Sequence, residues 1–424
     1  VTERRHRVVV VGAGFGGLAA AQALAEAPVD VVIVDGRNHH TFQPLLYQVA
    51  TAGLDGDDVC FPIRGIFGRQ RNATVRLDHV VSVDLEDHRL QLRGDGWLSY
   101  DSLVLAPGAV SNSFGVAGVE EHAFGLKSLA DAVHLRDHVL VQFERVDADR
   151  ARLDDGTLTF VVAGGGPTGV ELAGGLTELI WKVLEGDYPH LDVRRARIVL
   201  VEATDRLLGT FSPTLGARAR RALEERGVEV LTSTSVSEVR PHEIVLGDGS
   251  RIASRTMIWA AGVRANPIGE TLGVELTKGG RVVVRDDLTV PGHPEVFVVG
   301  DLAASPGRDG APLPQVAPVA IQGARHAARQ IMARLRDEPT RPFHYVDKGS
   351  MATIGRHAAV ADLPGGIRMS GVVGWLAWLV LHLVMLIGVR NRVNVLVNWA
   401  WNYVTYDRAS RIITNVDDVG GDDP

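Results

Sequence analysis

The sequence predicts an α/β protein made of two Rossmann-like units in tandem, followed by an apolar, aromatic-rich C-terminal region. Three observations predict it. Residues 7–11 form a short β-branched run that leads into a glycine turn at 12–17 and an Ala-rich helical stretch at 18–27. The same order returns at residues 158–163, 164–169 and 170–184. Near the end, residues 371–389 are almost unbroken in their apolar character, with His382 the only ionisable side chain.

In the first unit a second buried strand, 29–34, ends in Asp35. The turn reads GAGFGG. Gly12 permits the tight turn off the strand, Gly14 lets the backbone approach a pyrophosphate, and Gly16 and Gly17 open the helix, Gly17 packing it against the strand. The helix N-terminus offers free N–H groups to phosphates. Asp35 stands 23 residues after Gly12, where a strand-end carboxylate accepts from ribose hydroxyls. Alternating strands at 75–83 and 89–92 are expected to form small antiparallel sheets, and 103–108 to be a buried strand ending in a Pro-Gly turn. Ala106 and Gly108, in that turn, mark the chain leaving the first unit.

The second turn is Gly164-Gly165-Gly166-Pro167-Thr168-Gly169. Its strand, 197–201, ends in Glu202, 38 residues after Gly164 because 181–197 is inserted. Glu202 would bond a ribose 2′-OH and repel a 2′-phosphate, which favours NADH over NADPH; Arg206 nearby would blunt that preference. A late strand, 295–301 (EVFVVGD), ends in Gly300-Asp301 and returns a carboxylate to the first unit, placed for the ribityl hydroxyls of FAD. The order of motifs thus points to FAD held in the first fold and NADH exchanging in the second. The expected segments are 1–115 and 285–345 for the FAD domain, 116–284 for the NADH domain and 346–424 for the C-terminal region.

Composition narrows the chemistry. The net charge of −7 over 424 residues gives no basic footprint for nucleic acid. Cys60 is the single cysteine, so no intrachain disulfide, CxxC pair or Cys-based zinc site can form, and no metal-ligand spacing appears elsewhere. Residues 1–7 are charged and run directly into a strand, which reads as a cytoplasmic body without a cleavable leader. The histidines, including His39-His40, read as surface or packing residues. Beyond 371–389, Asn394, Asn398 and Asn402 recur every four residues, opposite Val393, Leu396, Val397, Ala400, Trp401 and Val404. With Trp399, Tyr403 and Tyr406 this describes an amphipathic interfacial helix. Arg368, Arg390 and Arg392 flank the apolar run on both sides and set no orientation. A monotopic anchor, a single span and an ordinary core helix all remain open on these grounds.

From Val8 to about Thr414 the chain resembles the type II NADH dehydrogenases, the single-subunit NADH:quinone oxidoreductases. The most specific stretches beyond the glycine turns are 41–53 (TFQPLLYQVATAG), 164–174 (GGGPTGVELAG), 259–263 (WAAGV), 347–356 (DKGSMATIGR) and 387–405 (IGVRNRVNVLVNWAWNYVT). The resemblance implies a glutathione-reductase-like flavoprotein fold with C-terminal membrane-anchoring helices, monotopic rather than spanning. It implies hydride transfer from NADH to FAD and two-electron reduction of ubiquinone or menaquinone without proton pumping. A homodimer on the cytoplasmic face of the cell membrane is the family expectation. Disulfide reductases and sulfide:quinone reductases share this fold but use a cysteine pair beside the flavin, and Cys60 alone cannot supply that relay.

The resemblance also assigns residues. Residues 314–330 read as a loop turning into a helix whose N-terminus faces the flavin, with Ala320 among the flavin-binding positions. In the family this helix begins near an Ala-Gln-x-Ala-x-Gln pattern at the quinone site. Here Ala317, Pro318, Ile321 and Gln322 stand in that stretch; Gln322 keeps the second glutamine and Pro318 replaces the first. Ala261 and Gly262 join Gly164, Gly166, Thr168, Gly169 and Glu202 at the NADH site. Glu171 corresponds to a family glutamate near nicotinamide and flavin, and reads equally as a proton-shuttling acid or as a first-turn acid held by the helix dipole. Two other readings of the whole stay open: an NADH-dependent flavoprotein reductase of another isoprenoid acceptor, and a non-enzymatic NADH-sensing flavoprotein.

Overall fold

The computed structural model describes residues 4–94, 96–308, 310–405, 408 and 410–414. Residues 1–3 of the N-terminal reading and Tyr406 of the aromatic set lie outside the described residues. The chain divides into two compact units, one of Val1–His40, Phe61–Val110 and Val263–Asp347, the other of Thr41–Cys60, Ser111–Gly262 and Lys348–Pro424. Motif order had placed the internal boundaries at 115/116, 284/285 and 345/346. In the contact division, the return to the first unit comes at Val263, and the second unit takes in both 41–60 and the C-terminal region. The helices used below are α1 (Phe15–Ala23), α2 (Pro167–Glu178), α3 (Ala317–Arg334), α4 (Gly371–Met385) and α5 (Val389–Thr405).

The first unit is built on a six-stranded sheet in the order Thr289–Val290, His293–Val298, Ser102–Leu105, His6–Val11, Val29–Asp35, Ala73–Leu77. All neighbours run parallel except the first pair. Its central strands read as continuous apolar runs because both faces are covered; Val8, Val9 and Val10 are wholly buried. Val11 is level with both Val34 and Leu105, so the strand ends bring Gly12, Asp35 and Ala106 to one edge. The strand order reverses beside His6–Val11, where ligands of such sheets bind. The expected strand 75–83 is two strands. Ala73–Leu77 belongs to the parallel sheet, and Val80–Asp84 pairs antiparallel with Arg89–Leu92. The chain breaks between them at Asp78, whose N–H donates to the Asp35 carbonyl at 3.0 Å.

The second unit carries a five-stranded parallel sheet in the order Ala123–Phe124, Thr256–Trp259, Thr159–Ala163, Arg197–Val201, Glu229–Leu231. It too reverses beside its fingerprint strand, Thr159–Ala163. The helix expected over 170–184 starts earlier and stops sooner: α2 gives way to a π-helical turn at Leu179–Val183. One face of α2 packs on an antiparallel sheet of Ser350–Gly355, Ala358–Leu363 and Ile367–Ser370. The helix can lie this close because Gly174 has no side chain; a Cβ there would stand 2.2 Å from the Ile354 oxygen. The apolar run 371–389 is not one helix. α4 ends at Met385, and α5 begins after a turn in which Gly388 takes φ +86°. No helix among the described residues is long and apolar enough to cross a membrane.

Candidate active site

In the first unit the glycine turn is shaped by contacts that exclude any larger residue. Gly12 has φ +92°, and a Cβ on it would lie 2.4 Å from the Ala106 oxygen. Gly17 lies over the Gly12 carbonyl, and Gly16 faces Ala106, Val299 and Ala320. Gly300, with φ +68°, faces Ala320, which sets Asp301 beside the first turn of α3. Gly14 is different: nothing lies within 4 Å of an added Cβ. That open space sits at the N-terminus of α1, which no side chain caps, so its first-turn N–H groups are left for an anion. Asp35 closes the edge. Its carboxylate accepts from Ala13 N–H at 2.6 Å and Arg37 N–H at 2.8 Å, and it keeps further lone pairs for a ribose. These features fit the adenosine diphosphate half of FAD. Gly108, with φ +76°, likewise has open space where a Cβ would stand.

The second unit repeats the device. Gly164 has φ +109°, and a Cβ there would lie 2.5 Å from the Ala260 oxygen and 2.6 Å from the Ala261 Cα. Gly169 lies over the Gly164 carbonyl, and Gly166 has open space at the uncapped N-terminus of α2. Glu202 accepts from Gly165 N–H at 2.6 Å and Thr204 N–H at 2.7 Å, as Asp35 does from its own turn. The Arg206 guanidinium donates to the Gly209 carbonyl at 3.0 Å. Gly262 accepts from Asn112 N–H at 3.2 Å, and Asn112 in turn accepts from the Trp259 indole at 2.7 Å. Thr168 is exposed at the head of α2.

Glu171 lies in the second turn of α2, not the first, and is 9% exposed. A first-turn acid held by the helix dipole is therefore not what the structure contains. Its carboxyl meets Thr353 N–H at 3.3 Å. Burial pushes its pKa up to about 8, against the pull of that N–H and of the Trp378 indole. Around it the second unit gathers groups from distant segments. Tyr47 is raised well above the usual phenol range, first by burial and then by Glu171. Gln48 donates to the Tyr47 hydroxyl at 2.8 Å and accepts from the Trp399 indole at 2.7 Å. Trp378 meets the Tyr47 ring edge-on and stacks on His382 at 4.0 Å between centroids. Burial lowers the His382 pKa to about 4, against its bond to the Trp378 carbonyl. Tyr47 and His382 are thus uncharged near neutral pH while Glu171 can lose a proton there, and the Glu178–Arg408 ion pair is close enough to act on Tyr47.

Asn398 and Asn402 of the expected stripe, and Asn391 about one turn before it, bond to the protein, while Asn394 is half-buried. Asn391 Nδ2 donates to the carbonyls of Asp57, Asp58 and Cys60. Asn398 donates to the Asp58 carboxylate at 2.8 Å and Asn402 to the Gly53 carbonyl at 3.0 Å. Arg356 donates to the carbonyls of Asn402 and Tyr403, and Arg408 to Thr51 and Glu178. The apolar side is turned out: Val393, Leu396, Val397, Trp401 and Val404 are exposed, as are Val372, Val373, Leu376, Val380, Val384 and Met385 of α4. Only Gly374 and Trp378 of α4 are buried.

Pro318 stands in the first turn of α3, as its sequence position implies. Gln322, one turn on, has its amide engaged at both ends: Nε2 donates to the Val346 carbonyl at 2.9 Å, and Oε1 accepts from Val346 N–H at 3.0 Å. Sequence reasoning missed Tyr47, Gln48, Thr353, Trp378 and His382 as neighbours of Glu171. The stretches 41–53 and 347–356 had flagged the first three, but without a role. It also read His40 as packing, although His40 touches the first glycine turn.

The pyridine nucleotide-disulphide oxidoreductase family matches residues 6–324, and the NDH2 C-terminal domain matches residues 348–405. The chain is 43% identical to the type II NADH:quinone oxidoreductase NdhA of Mycobacterium tuberculosis, over 97% of this chain and 90% of that protein. It is 41% identical to Ndh of the same organism, also a type II NADH:quinone oxidoreductase, over 97% and 91%. The solved structure of NDH2 from Plasmodium falciparum in complex with NADH superposes with a TM-score of 0.88 at 20% identity, covering 97% of this chain and 100% of that one.

Proposed function

The chain belongs to the pyridine nucleotide-disulphide oxidoreductases and, within them, to the type II NADH:quinone oxidoreductases, and from that premise we propose that it oxidises NADH and reduces a membrane quinone while seated on a lipid surface by α4 and α5. FAD, when bound, would supply the two-electron redox chemistry that links NADH oxidation to quinone reduction. The protein's own residues bind, orient and manage protons. The turn of Gly164, Gly166 and Gly169, the Ala261–Gly262 edge and the exposed Thr168 receive the NADH pyrophosphate and nicotinamide end, and Glu202 reads its ribose. Gly12, Gly14, Gly16, Gly17, Asp35, Ala106, Gly108, Asp301 and Ala320 hold the flavin cofactor. Glu171 holds a proton on its carboxyl at neutral pH and can donate it to a reduced quinone oxygen. Ala317, Pro318, Ile321 and Gln322 form the proposed quinone wall. For Gln322 to bond a quinone carbonyl it must exchange its two bonds to Val346, each worth about 0.5–1.5 kcal/mol net.

The single observation that carries the membrane part is the outward apolar face of α4 and α5. Val373 is 64% exposed and Val404 79%, while the polar side of α5 is spent on backbone carbonyls. A contiguous patch of this kind marks a lipid or protein contact. The reading is monotopic attachment on the cytoplasmic side, where NADH is available; a homodimer through the same face is the competing use. Truncation before Gly371 would strip Trp378 from the enclosure of Glu171, so outward substitutions test the reading better. Val373→Asp, Val380→Asp and Val397→Asp together should leave flavin content and NADH-driven reduction of a short-chain quinone unchanged while abolishing sedimentation with vesicles. Sedimentation equal to that of the unaltered protein would refute the lipid contact. A dimer that dissociates with no change in sedimentation would assign the face to a second copy instead. Turnover with ubiquinone and menaquinone analogues identifies the acceptor.

A further inference from the structure

We infer that Phe114 is a substrate-binding residue whose exposed ring packs against the nicotinamide nucleotide half of NADH. This rests on the NADH reading above and extends it to a side chain outside the glycine turn and the Ala261–Gly262 edge. The backbone around Phe114 is shaped to present the ring. Phe114 takes φ +52° and Gly115 φ +75°, and Val116 N–H closes the turn on the Ser113 carbonyl at 3.0 Å. Two successive residues at positive φ suit Gly, Asn or Asp, and a Phe in that place is strained. The ring is nonetheless left 63% exposed, open to a ligand. A bulky side chain that strains its backbone and gains little burial in return points to a role beyond packing.

One neighbour clips this loop to the NADH edge. Asn112 N–H donates to the Gly262 carbonyl at 3.2 Å, its carbonyl accepts from the Trp259 indole at 2.7 Å, and its Oδ1 accepts from Phe114 N–H at 3.0 Å. The tip of the ring then lies against Gly262, where a Cβ would stand 3.0 Å from Cζ and 3.2 Å from Cε2. Just before Gly262 in the same segment, Ala260 and Ala261 lie against Gly164, the first residue of the glycine turn. Sheet order decides which half of the dinucleotide reaches the ring. Thr159–Ala163 runs between Arg197–Val201, which ends at Glu202, and Thr256–Trp259, which leads into Gly262. The pyrophosphate belongs at the head of α2, directly after the middle strand, where Gly166 leaves open space. Adenosine ribose at Glu202 takes one side of that point. The nicotinamide nucleotide therefore extends to the other side, where Gly262 and Phe114 stand. The dihydronicotinamide ring is flat and uncharged, and an open aromatic side chain is a surface on which it can pack.

The test uses the full-length flavoprotein and follows flavin reduction at rising NADH in a stopped-flow instrument, which separates the NADH Kd from the limiting rate. Phe114→Asn removes the ring but suits positive φ, so the turn keeps its shape. Phe114→Tyr keeps the ring. Loss of the contact should raise the NADH Kd by about tenfold in Phe114→Asn, with Phe114→Tyr within about twofold of the unaltered protein. ADP carries the adenosine and both phosphates but neither the nicotinamide nor its ribose. Its Ki as a competitor of NADH should be the same in the variants and the unaltered protein. An unchanged NADH Kd in Phe114→Asn overturns the inference. Equal weakening of NADH and ADP also overturns it, because the ring would then serve the adenosine half or the shape of the site. An unaltered protein whose flavin NADH does not reduce would refute the NADH reading itself, a failure separable from the others.

Discussion

Replacing Glu171 by Gln should make the protein more stable at alkaline pH and leave it little changed at acid pH. The carboxyl is sealed in the second unit with Thr353 N–H as its near partner, and its pKa rises to about 8 from an ordinary 4.5. Between those two values the folded protein keeps a proton that the unfolded chain has released. Stability therefore falls as pH rises through that window and levels off above about 8. The full penalty is the pKa difference multiplied by about 1.4 kcal/mol per unit, or about 5 kcal/mol for the buried charge. Gln has nearly the same shape and carries no charge, so the penalty vanishes with the substitution. The measurement is the melting temperature of both flavoproteins across pH 5 to pH 9 at constant FAD. The difference should be near zero at the acid end and grow to several degrees, with Glu171→Gln the higher, above pH 8. A difference that stays flat across the range would show that Glu171 titrates normally, and its assignment as a proton donor near neutral pH would go with it. The same variant should lower quinone-dependent turnover while flavin reduction by NADH, followed in a stopped-flow instrument, stays within about twofold.

Two further predictions concern residues held by backbone groups. Glu202→Ala removes the acceptor for Gly165 and Thr204 N–H and the ribose contact, which should raise the NADH KM by about tenfold or more and narrow the preference over NADPH; unchanged steady-state selectivity would return Glu202 to a merely structural role. Asn391→Ala leaves the carbonyls of Asp57, Asp58 and Cys60 without the two N–H groups they share, at a cost of about 2–3 kcal/mol, and should lower the melting temperature while Val393→Ala on the exposed side does not. Equal effects of these two changes would mean that α5 is not held through its polar side.

The parts of this molecule that were legible in the sequence are those whose physics is local. A strand, a glycine that must take positive φ and a helix start within ten residues leave a readable spacing, so Gly12, Gly164 and their partners fell where expected. Asp35 and Glu202 were placed from strand ends alone, and the 38-residue interval to Glu202 did not hide it because the strand before it is so apolar. Breaks set by a single backbone bond were not legible. Asp78 ends one strand and frees the next through its bond to Asp35, and the hydrophobic alternation runs straight through it. The neighbours of Glu171 come from residues 47, 353 and 378, and no sequence window contains them. The amphipathic period of α5 was plain, but its direction was not. Which side turns inward was settled by carbonyls at residues 53–60, more than three hundred positions away in the chain.

The inward turn of the polar side of α5 has a consequence for how the protein could attach to a surface. Asn391, Asn398 and Asn402 are committed to the protein, and Arg392 is spent on the carbonyls of Val384 and Leu386. What remains outside is mostly aliphatic surface with a few aromatic rings, and Arg390 is exposed at the start of α5. In the proposed lipid seating, attachment would rest chiefly on acyl chains, so concentrated salt should leave it in place and mild detergent should remove it. On the proposed lipid seating, membrane composition would matter to this protein chiefly through its acyl chains.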